Sequence, residues 1–395
     1  MITQILSRRS FSKLVGVSAA IAALESLPLA DSVASVTAPS PTPVRLSSNE
    51  NPYGPSPAAL KAMTEGFNLL WRYPDEYGDL LATDLAQQHN VPVNQILLGD
   101  GSSEILKICA SAYTGKGKKL VIANPTFGAI ARHAEIANAE VVRINLTNDY
   151  RLDLQRMLWT ANGNPEGTKN VTAKSADLVY ICNPNNPTAT VSNKDQLAAF
   201  IAKVSRGTMV LVDEAYHHYV ESNYYESVIP FVKDHPNLIV VRTFSKIYGM
   251  AGLRLGYCIT QPENIKLMKA HQVFDSVNIM AIVAALASLK DRDHVARARE
   301  SNSQVRKSVC DELDALGYRY IPSDANFMMI DLSSRCGSGR KCEPGSTAEV
   351  VIAAMLKRGV EVGRFFPAMP NFMRVSIGTS SQMKAFLSAF KEVMA

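Results

Sequence analysis

Three things are missing from this chain of 395 residues, and each absence narrows the field. No run of basic residues is interleaved with aromatics, and a net charge of +5 is spread along the chain, so nucleic acid is not an implied partner. No apolar stretch in the body is long enough to span a bilayer, so no transmembrane helix is expected there. The six cysteines show no metal-ligand spacing, so no metal site is expected. Cys109, Cys182 and Cys258 sit in apolar contexts that suit small buried residues. Cys336 and Cys342 flank Gly-Ser-Gly-Arg-Lys in a loop. They could form a local disulfide if the protein works outside the cytoplasm, or remain two free thiols. No internal repeat is apparent.

What is present describes a globular protein: 47% apolar and 19% charged residues. The length allows one large α/β unit or two coupled domains. The N-terminus stands apart. Ser7-Arg-Arg-Ser-Phe-Ser-Lys13 is followed by an uncharged run from Leu14 to Leu24 and then by Ser32-Val33-Ala34. This resembles a twin-arginine export signal, with paired arginines, a short apolar core and a small-x-small cleavage site. Residues 1–34 are therefore expected to be removed and 35–43 to be a linker. The mature protein is expected in the periplasm or otherwise exported, free of the membrane after cleavage, and in the cytoplasm if the signal does not function.

From about residue 92 short apolar strands alternate with longer helical stretches. Strands are expected at 95–98, 120–123, 140–144, 178–182, 209–212, 238–243 and 256–259, and helices at 103–113, 127–137, 194–203 and 263–270. Several strands are continuously apolar rather than alternating, which suits a sheet covered on both faces. The fold class expected is α/β: a mostly parallel seven-stranded sheet flanked by helices (71–277), with a smaller α+β domain (278–395). The first part of that smaller domain is expected to be helical over 278–316. The segment 44–70 is expected to pack with the small domain.

In such sheets useful residues gather at the carboxyl ends of strands. Four strand ends carry suggestive groups. Gly99-Asp-Gly-Ser-Ser-Glu104 leads into a helix whose free N–H groups, with Ser102 and Ser103, could bind a phosphate or merely cap the helix. Asn183-Pro-Asn-Asn-Pro-Thr188 is a stiff turn that would fix the direction of Asn186. Asp213 ends a buried strand, where a lone carboxylate is costly. It calls for a cation such as a protonated ring nitrogen, or for a structural salt bridge. Arg242-Thr-Phe-Ser-Lys-Ile-Tyr-Gly-Met-Ala-Gly-Leu-Arg-Leu-Gly256 holds Lys246 between hydroxyl residues with Arg254 eight positions on. Lys246 could be a Schiff-base amine and Thr243, Ser245 and Arg254 a phosphate cup, or Lys246 could be a solvated surface residue.

Taken in order, these blocks resemble the fold-type I pyridoxal-phosphate aminotransferases, and most of all the histidinol-phosphate aminotransferase group. The resemblance rests on Asn-Glu-Asn-Pro-Tyr-Gly at 49–54, Arg-Tyr-Pro at 72–74, Pro-Thr-Phe-Gly at 125–128, Asn-Asn-Pro-Thr at 185–188, Asp-Glu-Ala-Tyr at 213–216, Ser-Lys at 245–246, Gly-Leu-Arg at 252–254 and Met-Arg-Val-Ser-Ile-Gly at 373–378. It covers residues 44–395. It implies pyridoxal 5′-phosphate attached to Lys246, which also moves the substrate proton, with Asp213 on the ring nitrogen. Asn186 and Tyr216 would meet the ring's phenolic oxygen and Phe127 would stack on the ring. Ser102, Ser103, Thr243, Ser245 and Arg254 would grip the phosphate, and Tyr73 would reach it across a homodimer interface. Arg374 would take the substrate carboxylate, with Arg364, Asn49, Tyr53 and Asn326 also in the substrate site.

The reaction implied is amino transfer between an amino donor and a 2-oxo acid. Histidinol phosphate is the donor by resemblance, whereas export points to another amino acid or a peptide-like metabolite. A decarboxylase resembling the threonine-phosphate decarboxylases, or a cofactor-bearing binding protein without turnover, are the alternatives. Two departures from the family pattern stand out. Ala189 replaces the usual glycine after Asn-Pro-Thr, and Val362-Gly-Arg-Phe-Phe-Pro367 differs where the substrate side chain is handled.

Overall fold

The computed structural model describes residues 43–164, 174–335 and 347–395. The expected signal peptide, the linker apart from Pro43, and the Cys336 and Cys342 pair lie outside the described residues. In chain order the strands are β1 (Val44–Arg45), β2 (Ile96–Asp100), β3 (Lys119–Asn124), β4 (Glu140–Asn145), β5 (Leu178–Cys182), β6 (Met209–Asp213), β7 (Leu238–Thr243), β8 (Leu255–Ile259), β9 (Arg319–Ile321), β10 (Phe327–Asp331), β11 (Val360–Glu361) and β12 (Phe372–Ser376). The helices are α1 (Pro57–Glu65), α2 (Asp75–His89), α3 (Gly101–Tyr113), α4 (Ala129–Ile136), α5 (Leu154–Ala161), α6 (Lys194–Lys203), α7 (Pro262–Lys269), α8 (Ile279–Lys290), α9 (Arg292–Ala315), α10 (Thr347–Lys357) and α11 (Ser380–Met394). Among the described residues no helix is long and apolar enough to cross a membrane.

Seven strands form one sheet in the order β2-β8-β7-β6-β5-β3-β4. Strands β7, β6, β5, β3 and β4 are paired in parallel, and β8 alone runs antiparallel to both its neighbours. The mostly parallel sheet expected from the continuous apolar runs is therefore present. Every residue of β5, β7 and β8 is buried, as strands covered on both faces require. Successive side chains alternate between two cores. Val179, Ile181, Val210, Val212 and Val240 point into the larger one. Leu178, Tyr180, Leu211, Ile239 and Val241 meet Ile105, Ile108 and Cys109 of α3 on the other face. Burying each such side chain stabilises the fold by roughly 1.5–3 kcal/mol. Cys109, Cys182 and Cys258 are buried free thiols, as their apolar contexts predict.

A second set of strands, β12-β10-β9, is antiparallel, and β1 pairs in parallel with β11. These strands share a core with α9, α10 and α11, filled by residues such as Leu46, Val309, Met328, Met355, Met373, Phe386 and Phe390. Helix α9 joins the two parts, since Ala298 lies in the larger core and Val305, Val309 and Leu313 in the second.

The helical region expected over 278–316 is present as two helices that meet at Asp291, whose carboxylate accepts from the backbone N–H of His294 and starts the second. Two expectations are corrected here. Helix α8, expected to open the small domain, instead places Ala281, Ile282, Ala284 and Ala285 in the core of the large sheet. Being apolar nearly all round, it has no face to leave in water. The segment 44–70 is likewise divided. Leu46 belongs to the second core, whereas Ala59 of α1 belongs to the larger one, with α1 packed on α8.

Candidate active site

Strand polarity gathers the chemistry at one edge. β3, β5, β6 and β7 end there, β2 runs the same way, and the antiparallel β8 begins there. The residues that follow β2, β3, β5, β6 and β7, and that precede β8, therefore face one another across a cavity of about 580 Å³. It is lined by Asn49, Ser102, Ser103, Phe127, Asn186, Asp213, Tyr216, Thr243, Ser245, Lys246, Arg254, Arg364 and Arg374, thirteen of the residues singled out in the sequence. Tyr53, Tyr73 and Asn326 are not brought to it.

Asp213 is 2% exposed and makes no ion pair among the described residues. Burial is the main influence on it and pushes its carboxyl up to about 6, against hydrogen bonds from the Tyr180 hydroxyl (2.9 Å) and the Ala215 N–H (3.1 Å) that favour the charged form. The next residue, Glu214, is anchored separately. It accepts from Arg242 Nη2 at 2.8 Å and Nε at 3.0 Å, and from the Val228 N–H at 2.8 Å, all buried. That ion pair ties the turn after β6 to β7, one residue before Thr243. Removing one partner of such a buried pair typically costs about 3–5 kcal/mol.

Lys246 is half-buried, and its Nζ donates to the Ser48 carbonyl at 3.2 Å. Burial, helped by Arg374, lowers its ammonium to about 8. Lys246 thus lines the cavity rather than standing free on the open surface. The loop carrying it is held by Asn51, which donates to the Ile247 carbonyl at 2.8 Å.

Tyr216 is buried, and burial raises its phenol far above the usual value, so it stays protonated. Its oxygen accepts from Asn49 Nδ2 at 3.0 Å and Asn186 Nδ2 at 3.2 Å. A phenol has one O–H to give. With two amides filling the acceptor side, that proton is left to donate to a ligand. Asn186 Oδ1 in turn accepts from Arg374 Nη1 at 2.8 Å, so Asn186 links the tyrosine to the arginine. Arg374 also donates from Nη2 to the Ser47 carbonyl at 2.7 Å, while its buried Nε has no partner among the described residues. That nitrogen is packed against Gly363, where an added Cβ would lie 3.0 Å from it. Ala189, standing where glycine was expected, takes φ 60° and is buried, yet Asn186 still lines the cavity.

Helix α3 has no side-chain cap, which leaves its first N–H groups, beside Ser102 and Ser103, open at the cavity. Arg254 donates to Ser245 Oγ at 3.3 Å and packs on Gly101, where an added Cβ would lie 2.0 Å from its Nη2. A Cβ on Gly256 would lie 2.3 Å from the Ser102 nitrogen. Strand β8, which follows Arg254, can approach the helix start only because residue 256 is glycine. Gly256→Ala is therefore expected to destabilise the fold by about 1–3 kcal/mol through overpacking and to weaken anion binding. Thermal denaturation with and without phosphate measures both. An unchanged midpoint and unchanged phosphate response would contradict the close approach.

Two residues expected in the substrate site stand elsewhere. Asn326 sits one layer back, donating to the carbonyls of Asn49 (3.0 Å) and Glu50 (3.2 Å), so it positions the Asn49 segment rather than facing the cavity. Tyr53 is 46% exposed and does not line it, while Tyr73, expected at the site of a second copy, is 79% exposed. Conversely, sequence reasoning missed Tyr180, Ser47, Thr126 and Glu361. Tyr180 carried no signal in the sequence, because it meets Asp213 through strand register: Cys182 pairs with Asp213, and Tyr180 lies on the same face as Cys182, two residues back. Thr126 donates to Asn185 at 2.7 Å and so joins two of the turns that carry the site.

Residues 41–390 match the aminotransferase class I and II family. The chain is similar to a histidinol-phosphate aminotransferase of Symbiobacterium thermophilum, at 37% identity over 355 residues that cover 89% of this chain and 90% of that protein. A histidinol-phosphate aminotransferase of Moorella thermoacetica is 35% identical over 356 residues, 89% of this chain and 86% of that one. The crystal structure of histidinol-phosphate aminotransferase from Sinorhizobium meliloti in complex with pyridoxal-5′-phosphate is similar in fold, with a TM-score of 0.79 at 24% identity over 89% of this chain and 90% of that one.

Proposed function

The chain belongs to the class I and II aminotransferases, and from that premise we propose that its cavity passes an amino group from a donor of the histidinol-phosphate type to a 2-oxo acid. It is a pyridoxal-phosphate-dependent enzyme. The residues present fit that cofactor. One cavity holds a half-buried amine, lowered to about 8, together with a buried carboxylate that makes no ion pair among the described residues, next to an uncapped helix start and an arginine. That pairing is the observation that carries the reading.

When bound, pyridoxal phosphate supplies an acceptor for the electron pair left when the substrate loses its α-proton. The chain's own residues do the rest. Lys246 Nζ would hold the cofactor and, once freed, would take and pass on the substrate's α-proton; an amine shifted to about 8 has a substantial neutral fraction to act as base. Asp213 keeps a proton on the ring nitrogen, its carboxylate steadied by Tyr180 and Ala215. Tyr216 donates its remaining O–H to the ring oxygen, and Phe127 covers a ring face. Ser102, Ser103, Thr243, Ser245 and Arg254 hold the phosphate at the start of α3. Arg374 lines the cavity and would hold the substrate's anionic group with its guanidinium, which orients the α-carbon. The test is a half-reaction screen, in which each amino compound is mixed with the cofactor-loaded protein and the cofactor's absorbance is followed. Histidinol phosphate is expected to convert it to the amine form. If no amino compound does so, the proposal fails.

The proposal extends to a homodimer. Phe67, Leu70, Trp71 and Tyr73 are 60%, 61%, 77% and 79% exposed within seven residues, more apolar surface than one short stretch ordinarily leaves in water. A second copy covering this stretch would bury it and bring Tyr73 to the neighbouring phosphate. Sedimentation is expected to give twice the chain mass of 43.0 kDa. Trp71→Glu is expected to shift the protein toward monomer and to lower cofactor retention. A wild-type monomer that retains cofactor would contradict this. Export through the twin-arginine pathway is proposed from Arg8, Arg9 and the apolar run after them. Cell fractionation tests it, and a full-length cytoplasmic protein would count against it.

A further inference from the structure

With Lys246, Asp213, Arg254 and Arg374 given their roles, three charged side chains that line the cavity remain: Glu50, Glu361 and Arg364. Glu50 is paired with Arg45 at 3.2 Å. The other two have no ion-pair partner among the described residues. Glu361 ends β11, is half-buried, and its Oε1 accepts from Ser47 Oγ at 2.8 Å. A neutral hydroxyl orients a carboxylate but does not neutralise it.

Arg364 follows three residues later. Its guanidinium lies over the Phe366 ring, 4.7 Å from the centroid, and the same ring has the Arg374 guanidinium 5.3 Å from its centroid. Phe366 is buried and fixed, so the two cations are both held to one ring, a contact that favours them without supplying a counter-anion. Glu361 and Arg364 are thus close in the chain and opposite in charge, yet they do not pair with each other within 4 Å. Each is left to meet a ligand from the rim of one cavity.

An enzyme that moves an amino group in two half-reactions must admit two substrates to one cavity in turn. We propose that Glu361 and Arg364 divide that recognition by charge. Glu361 takes the cationic or N–H-bearing side chain of the amino donor (an imidazole, guanidine or amine), and Arg364 takes the distal anionic group of the 2-oxo acid acceptor. The inference rests on the aminotransferase reading above and narrows its substrates: a basic donor and an acidic acceptor. It also gives a chemical sense to the stretch 362–367, where the sequence leaves the family pattern. A site with only an arginine would repel a basic side chain, and one with only a carboxylate would repel an acidic acceptor. With both at the rim, either substrate can bind opposite its own countercharge.

Selectivity ratios test this, because a loss of general fold or cofactor binding lowers both members of a matched pair alike. For the donor the pair is arginine and its neutral isostere citrulline, each followed in the half-reaction. For the acceptor the pair is 2-oxoglutarate and its uncharged amide, run against the amine form of the enzyme. Glu361→Gln is expected to lower the arginine-to-citrulline ratio of kcat/KM by about 10- to 100-fold, the range for losing a charge-assisted hydrogen bond. Arg364→Gln is expected to lower the 2-oxoglutarate-to-amide ratio by a similar factor. Each variant should act on its own ratio. If Glu361→Gln leaves the donor ratio unchanged, or if both variants lower both ratios equally, the division of roles is wrong while the aminotransferase reading stands. If the wild-type protein converts with no amino compound at all, the aminotransferase reading falls and this inference falls with it.

Discussion

Lys246→Ala is expected to abolish amino-group transfer, lowering the half-reaction rate by about 10⁴-fold or more. The size follows from two losses at one atom. The amine would be the point of cofactor attachment, and it is an amine lining the cavity that burial lowers toward working pH, to about 8. Cofactor binding should survive in part, because Asp213, Tyr216, Ser102, Ser103, Thr243, Ser245 and Arg254 line the cavity independently of Lys246. The informative result is therefore a protein that still takes up pyridoxal phosphate but no longer turns it over. The same shift sets a pH dependence. Because burial disfavours the ammonium, the neutral amine accumulates as pH rises through about 8, rather than through the ordinary value of 10.5. The rate at which cofactor-free protein takes up pyridoxal phosphate should climb through that lower midpoint. Undiminished turnover in the alanine variant would remove Lys246 from the mechanism.

Asp213→Asn is expected to do two opposite things. In the cofactor-loaded enzyme it removes the anion that holds a proton on the ring nitrogen, and kcat should fall by about 10²- to 10³-fold, the usual size for one well-placed electrostatic group. In the cofactor-free protein it should be stabilising at pH 8. The folded-state carboxyl is raised by burial from 3.8 to about 6, so its contribution to stability is fully present below about pH 4 and is lost as pH rises through about 6. At pH 8 the buried charge therefore costs about 3 kcal/mol, and an uncharged amide of the same shape avoids that cost. The Tyr180 hydroxyl can turn to accept from the new amide. Thermal denaturation of the two cofactor-free proteins at pH 8 decides the matter, and a lower midpoint for the variant would contradict the picture of a carboxylate waiting for a cation. Such a trade of stability for chemistry is common where a binding site is built in advance of its ligand.

The residues behind these two predictions were legible in the sequence because they sit at strand ends. Continuous apolar runs such as 178–182 and 238–243 announce covered strands, and in a parallel sheet everything that follows such a strand emerges at the same edge. Asp213, Asn186 and Lys246 each follow a strand, so their convergence could be expected before any distance was known. What lay beyond reach depended on contacts between distant parts of the chain. Tyr180 supports Asp213 through strand register, and Ser47 meets Glu361 across 314 residues through the two-residue pairing of β1 with β11. Strands that short leave no periodic signal. Helix α8 was assigned to the wrong core because an all-round apolar helix does not say which sheet it covers. Asn326 was expected at the substrate and stands behind Asn49, since a motif names a residue without saying which way its side chain is turned.

The central claim is that this cavity transfers nitrogen between two carbon skeletons, and isotope transfer tests it most directly. The purified, cofactor-loaded protein is given a donor whose amino nitrogen is isotopically labelled, together with unlabelled 2-oxoglutarate, and the products are read by mass spectrometry. The account predicts labelled glutamate, formed in step with the loss of amino nitrogen from the donor, and none with the Lys246→Ala variant. Label that stays on the donor, with no labelled glutamate formed, would contradict it.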